Sequence, residues 1–113
     1  MSEQLQLSFD FVPLVNTDGV GETIQERFEA FHDANPHIYR MLRALALGWV
    51  YAGRTHGSMK MFWETLRFQS GTVNSLGEPY KLNNDFTALY ARLLMEREPA
   101  LAGFFEIRER RAI

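Results

Sequence analysis

The chain has 113 residues, no cysteine and a formal charge of −2, with 46% hydrophobic and 13% aromatic residues. That length suits one domain, since single domains most often run to roughly 100–150 residues, and so rich an apolar complement fills a core without disulfide or metal. The composition excludes disulfides, thiolate metal ligands and cysteine nucleophiles, a membrane span of about 18 uninterrupted apolar residues, and the strongly basic footprint that makes nucleic acid the default partner.

Charge is nonetheless uneven: residues 1–53 hold three Arg against seven acids, and residues 54–113 hold nine Lys or Arg against seven, so the halves are −4 and +2. Glu3 stands where a signal peptide would be basic, and with no spanning segment the expected location is the cytoplasm.

The chain starts with MSEQLQLSFDFVPLV, in which Leu5, Leu7, Phe9 and Phe11 alternate with Gln6, Ser8 and Asp10 as on a strand. Pro13 and the run Asn16-Thr17-Asp18-Gly19-Val20-Gly21 then break regular structure. Residues 1–21 are therefore read as an extended arm with a turn-rich linker, and 22–113 as a single helical domain.

A first helix is expected over 22–34, where Ile24, Phe28 and Phe31 recur at helical spacing and Glu22 and Glu26 favour the N-terminal end. Asn35-Pro36 reads as the N-cap and first position of a second helix, because Asn accepts orphan amide bonds and Pro has no amide to leave unpaired. That helix is expected to reach about Ala52, with Gly53 as its stop. Ile38, Met41, Leu42, Leu45, Trp49 and Ala52 share one face; Arg40, Arg43, Leu47 and Tyr51 take the other. Leu47, Tyr39, Val50 and Tyr51 make the second face too apolar for plain solvent, so the helix is either central or covered by a partner.

Thr55-His56-Gly57-Ser58 is a turn whose Ser58 caps a third helix to about Phe68, with Met59, Phe62, Trp63 and Leu66 as the buried stripe. Ser70 to Pro79 is a loop, and residues 79–82 form a short extended segment that pairs with a last strand over Phe104–Arg108. Between them runs a fourth helix, NNDFTALYARLLMERE, ended by Pro99.

Phe86, Leu89, Tyr90, Leu93 and Leu94 share one face of that helix, and Thr87, Ala88, Ala91, Arg92 and Met95 lie opposite. Short side chains with a single Arg imply close approach of another molecule or helix. One reading is a recognition helix: Asn bonds an adenine edge, Arg a guanine, and Thr or Ala methyls touch thymine from the first turns of a helix in the major groove. Asn83, Asn84, Thr87, Ala88 and Arg92 are the nucleic-acid candidates, with Arg67 and Lys81 at phosphates. The other reading buries the helix on both sides, Asn83 or Asn84 capping it and Ala88 and Ala91 packing on the second helix. A helix-turn-helix joins its pair by about three or four residues, so the long stretch from Phe68 to Asn83 requires a winged or elaborated variant.

His32, His37 and His56 have no metal-ligand spacing, since the first two flank the Asn35-Pro36 break, and no metal or other cofactor is expected. There is no nucleophile elbow and no phosphate-cradling Gly-rich loop. Glu64, beside Trp63, is either a buried acid or base of raised pKa or the partner of Arg67 in an i, i+3 ion pair.

The segment QLQLSF resembles the linear motif with which bacterial polymerases and repair proteins dock on the sliding clamp, Gln-Leu-x-Leu-x-Phe, matched here by Gln4, Leu5, Leu7 and Phe9. The alternative is an arm that folds back on the domain or swaps onto a second subunit, which the further apolar residues Phe11, Val12 and Leu14 favour. The segments FHDANPHIY (31–39), LNNDFTALYARLLMEREP (82–99) and GFFEIRERR (103–111) resemble a family of small proteins of bacteriophages and prophages. The resemblance implies a transcriptional regulator, an accessory of DNA transactions or an inhibitor of a host system, and transfers no residue roles.

The expectation is a mainly α domain of about four helices, with or without a short two-stranded β ribbon, that is non-enzymatic and DNA-associated. The alternative is a module that binds a host protein, the sliding clamp among the candidates, through the arm and the apolar surface of helix 36–52. A homodimer is compatible with both, and no membrane partner is expected.

Overall fold

Thr23 begins the first helix with reciprocal bonds: its side chain accepts from the Glu26 amide at 3.1 Å while the Glu26 carboxylate accepts from the Thr23 amide at 3.2 Å. This capping box starts α1 (Ile24–Ala34), and α2 (Pro36–Tyr51), α3 (Met59–Ser70) and α4 (Thr87–Arg97) follow. The computed structural model describes residues 14–70 and 84–106, with 68–70 as backbone alone. Among the described residues the protein is mainly helical, contains no strand, and adds 3-10 turns at Asn84–Phe86 and Pro99–Leu101.

The helices pack in chain order, α1 on α2, α2 on α3 and α3 on α4, and the Pro99–Leu101 turn closes against α2 and α4. Trp63, Leu66, Tyr90, Leu94, Leu42 and Leu101 have no exposed surface and form the centre of the core. Burying each such side chain is worth about 1.5–3 kcal/mol, so the expected stripe of α3 holds the bundle: Met59, Phe62, Trp63 and Leu66 are all buried. Ser58 starts α3 as expected, its hydroxyl accepting from the Met61 amide at 3.2 Å. Gly53, at φ +90°, ends α2 in a left-handed turn whose bonds run from Gly53 N–H to Val50 O and from Arg54 N–H to Trp49 O, a Schellman pattern.

Three expectations change on folding. Asn35 does not cap α2 with its side chain. It is fully buried, accepts from the Val15 amide at 2.7 Å and donates to the carbonyls of Val15 and Phe31 at 3.0 and 3.2 Å. The reason is demand: an incoming backbone needs partners in the interior. Leu14, beside it, is buried in the core, so the linker is tied to the domain from residue 14 onward.

In α2 the buried set is Ile38, Met41, Leu42 and Ala46, with Leu45 and Trp49 partly covered and Ala52 exposed. In α4 the buried set is Tyr90, Ala91 and Leu94, with Leu89 and Leu93 only partly covered. The inward face is thus rotated toward Ala91.

The chain end makes a contact that was not expected. Phe105 makes a parallel bridge to Gly57, whose amide donates to the Phe104 carbonyl at 3.1 Å. A Cβ at residue 57 would land on the Phe104 ring, so glycine is required by contact. The other half of the expected ribbon, residues 79–82, lies outside the described residues.

Candidate nucleic-acid interface

The residues expected to touch DNA separate into two groups. Arg67, half-buried on α3, donates to Glu64 at 2.9 Å and to the side-chain oxygen of Asn84 at 3.0 Å. The Thr87 hydroxyl donates to the Asn84 carbonyl at 3.0 Å. These three therefore meet, and their polar groups join the end of α3 to the start of α4. Glu64 is the ion-pair partner of Arg67, with its side chain 51% exposed, and is not a buried acid.

Ala88 and Arg92 form the second group: both are exposed, one helical turn apart on α4, with Glu96 a turn further on. Beside them a cleft of about 450 Å³ runs between α4 and the start of α3, bounded by Ser58 and Lys60 on one wall, Thr87, Ala88 and Ala91 on the other, and Glu106. Lys81 and Asn83, and the arm residues Gln4, Leu5, Leu7 and Phe9, lie outside the described residues.

A larger cationic surface lies on α2. Between residues 34 and 63 the chain carries Arg40, Arg43, Arg54 and Lys60 and no acid, whereas residues 1–33 carry seven acids against Arg27. Dividing the chain into halves averages this contrast away; dividing it by helix exposes it. At 100° per residue Arg40, Arg43, Leu47 and Tyr51 fall in one stripe on the solvent side of α2. Tyr51 is 85% exposed, the most exposed large apolar side chain among the described residues.

The end of α4 adds to the edge of this stripe. Glu98 accepts from the Arg43 guanidinium at 2.6 Å, and the Arg97 guanidinium sits 5.4 Å from the centre of the Tyr39 ring. Beyond the end of α2, on the opposite side of the helix from the stripe, Arg54 lies 5.0 Å from the Trp49 ring centre. Glu98 offsets one charge, so Arg40 and Arg97 are the cations of the stripe with no carboxylate bonded to them among the described residues. Guanidinium planes held over aromatic rings are fixed in direction at small entropic cost.

Gly48 lies in the same solvent-facing surface. A Cβ built there meets nothing within 4 Å, and its φ is not positive. Glycine in a helix interior costs about 0.5–1 kcal/mol relative to alanine, and no contact among the described residues requires it.

The histidines are packing groups. His32 stacks on Phe28 at 5.9 Å and meets Tyr39 and Tyr90 edge-on at 5.5 and 5.8 Å. Burial first, and then Arg97, holds its pKa below the ordinary value; burial and Arg40 do the same for His37. Tyr90 lies beneath, its phenol pushed up by burial; its hydroxyl and the Trp63 indole N–H have no partner among the described residues. His56 is exposed beside Thr55. Among the described residues no three His, Asp or Glu side chains gather as metal ligands, and no helix is long and apolar enough to cross a membrane.

No protein-family model matches the chain, and no curated protein or solved structure matches it.

Proposed function

We propose that the chain is a non-enzymatic, DNA-associated accessory protein. The observation that carries this reading is the cationic face of α2, with Arg40 and the Glu98-bonded Arg43 on the helix, Arg97 held over Tyr39 at its edge and Tyr51 open to solvent. Phosphate contacts supply most sequence-independent affinity for nucleic acid, and backbone-binding surfaces pair such cations with aromatic rings. Ala88 and Arg92 on α4, with Lys60 across the cleft, are a second and smaller set of the same character.

A mobility-shift series at low salt tests the reading. Retention is expected to fall as salt rises, and Arg40→Glu with Arg97→Glu is expected to abolish it. Arg92→Glu separates the surfaces: if it alone abolishes retention, α4 carries the contact. Absence of retention at low salt refutes the reading, because phosphate contacts are strongest there.

The second reading is a module that binds a host protein, and Asn35 is the observation in its favour. By gripping both backbone groups of Val15, it fixes the position at which Leu14 and Val15 join the domain. Deleting residues 1–12 is expected to abolish co-purification of the sliding clamp while leaving the melting curve unchanged if QLQLSF is a docking peptide.

A further inference from the structure

The solvent side of α2 has a shape that a general phosphate-binding surface does not need. From Arg40 to Tyr51 is eleven residues, or about 16 Å along the axis. Cations occupy the first part of that length, and a single ring, 85% exposed, ends it. Between them lie Ala44, Leu47 and the sterically unconstrained Gly48, a low floor over which another backbone can come close to the helix.

We infer that this stripe takes a single-stranded nucleic acid, with phosphates against Arg40 and Arg97, the sugar–phosphate backbone over Ala44 and Gly48, and an unpaired base stacked on Tyr51. The inference rests on the nucleic-acid reading above and narrows it. Duplex DNA keeps its bases stacked on each other and presents phosphates outward, so a lone projecting ring finds no π-face there. An unpaired base offers one, and stacking of this kind tolerates any sequence. At 3.4 Å or more per nucleotide the stripe has room for about four.

Charge favours this occupant over a second copy of the chain. A copy docked face to face would add a second set of the same uncompensated cations, Arg40 and Arg97, whereas a polyanion meets those cations at one end of the stripe and the Tyr51 ring at the other. The contact is correspondingly short. With two or three phosphates engaged, log affinity should fall with log salt at a slope of about −1.4 to −2, near −0.7 per phosphate for single strands.

Fluorescence anisotropy of the intact protein with labelled oligothymidine and with a labelled duplex of the same length, at low salt, tests the inference. Tighter binding of the single strand is expected, with Tyr51→Ala weakening it about tenfold, Tyr51→Phe retaining it and Arg40→Ala reducing the salt slope by about 0.7. The exposure of Tyr51 lets these variants fold, which a thermal melt verifies. Equal affinity for the two probes, or an unchanged affinity in Tyr51→Ala, overturns the single-strand inference and leaves the DNA-associated reading standing. Failure to bind either probe overturns that reading as well. Sedimentation as a dimer that Tyr51→Ala returns to monomer overturns the inference in favour of a second copy.

Discussion

Replacing Asn35 by alanine removes the one polar side chain that is buried among the described residues. Three hydrogen bonds go with it, to the Val15 amide, the Val15 carbonyl and the Phe31 carbonyl. Each is worth about 1 kcal/mol net. The Phe31 carbonyl keeps the Asn35 backbone amide at 2.8 Å, and Val15, 45% exposed, recovers part of its hydration. The expected loss is therefore about 2–3 kcal/mol, a large share of the roughly 5–15 kcal/mol that holds a domain together. At about 4–8 °C per kcal/mol, Tm should fall by about 10–20 °C. Asn35→Asp should be at least as damaging, since a carboxylate still accepts from Val15 but turns charge without a donor toward two carbonyls. Urea melts give the free energy, and hydrogen exchange gives its location: the Val15 amide should lose protection first. A loss below about 0.5 kcal/mol in both variants, with Val15 protection unchanged, refutes the idea that Asn35 ties the entering chain to the α1–α2 junction.

Gly48→Ala should stabilise the protein by about 0.5–1 kcal/mol, since the added methyl meets nothing, and it should weaken oligothymidine binding; opposite signs in melt and titration are the test. Tyr90→Phe removes a buried hydroxyl with no partner and should be neutral or stabilising by up to about 1 kcal/mol in urea melts. His32 and His37 have folded-state pKa values below the ordinary 6.5, so the native state resists protons that the unfolded chain accepts. Their contribution is intact above pH about 6.5 and is lost as pH falls through the lowered native values. Melts between about pH 7.5 and 5 should show that decline, and His32→Phe combined with His37→Gln should flatten it.

The sequence states local structure well where one helix decides it. The stripe of Met59, Phe62, Trp63 and Leu66, the break at Asn35-Pro36 and the Gly53 stop depend on neighbours within a turn, and all three stand in the fold. Features set by distant chain were not legible. Asn35 looks like a cap until Val15, twenty residues away, competes for its side chain. Phe105 looks like half of a ribbon, and its bridge to Gly57, forty-eight residues away, had no local signal. In α4 the larger residues Leu89 and Leu93 drew the inward face toward themselves, whereas the buried set is Tyr90, Ala91 and Leu94. Of the candidate site, the stripe of Arg40, Arg43, Leu47 and Tyr51 was visible as a helix face. Its importance was hidden because charge was balanced over halves of the chain and not over single helices.

The amide of Gly57 reaches across the molecule to the Phe104 carbonyl, and Phe104 and Phe105 fill the space above Phe62. This contact joins segments far apart in the chain, so the loop it closes is long and the contact is expected among the late steps of folding. Leu101, Phe104 and Phe105 are buried, so the Gly57 amide is expected to exchange only when these side chains leave the core. One backbone proton at the foot of α3 therefore acts as a clock, exchanging at the rate at which the tail of the domain lets go.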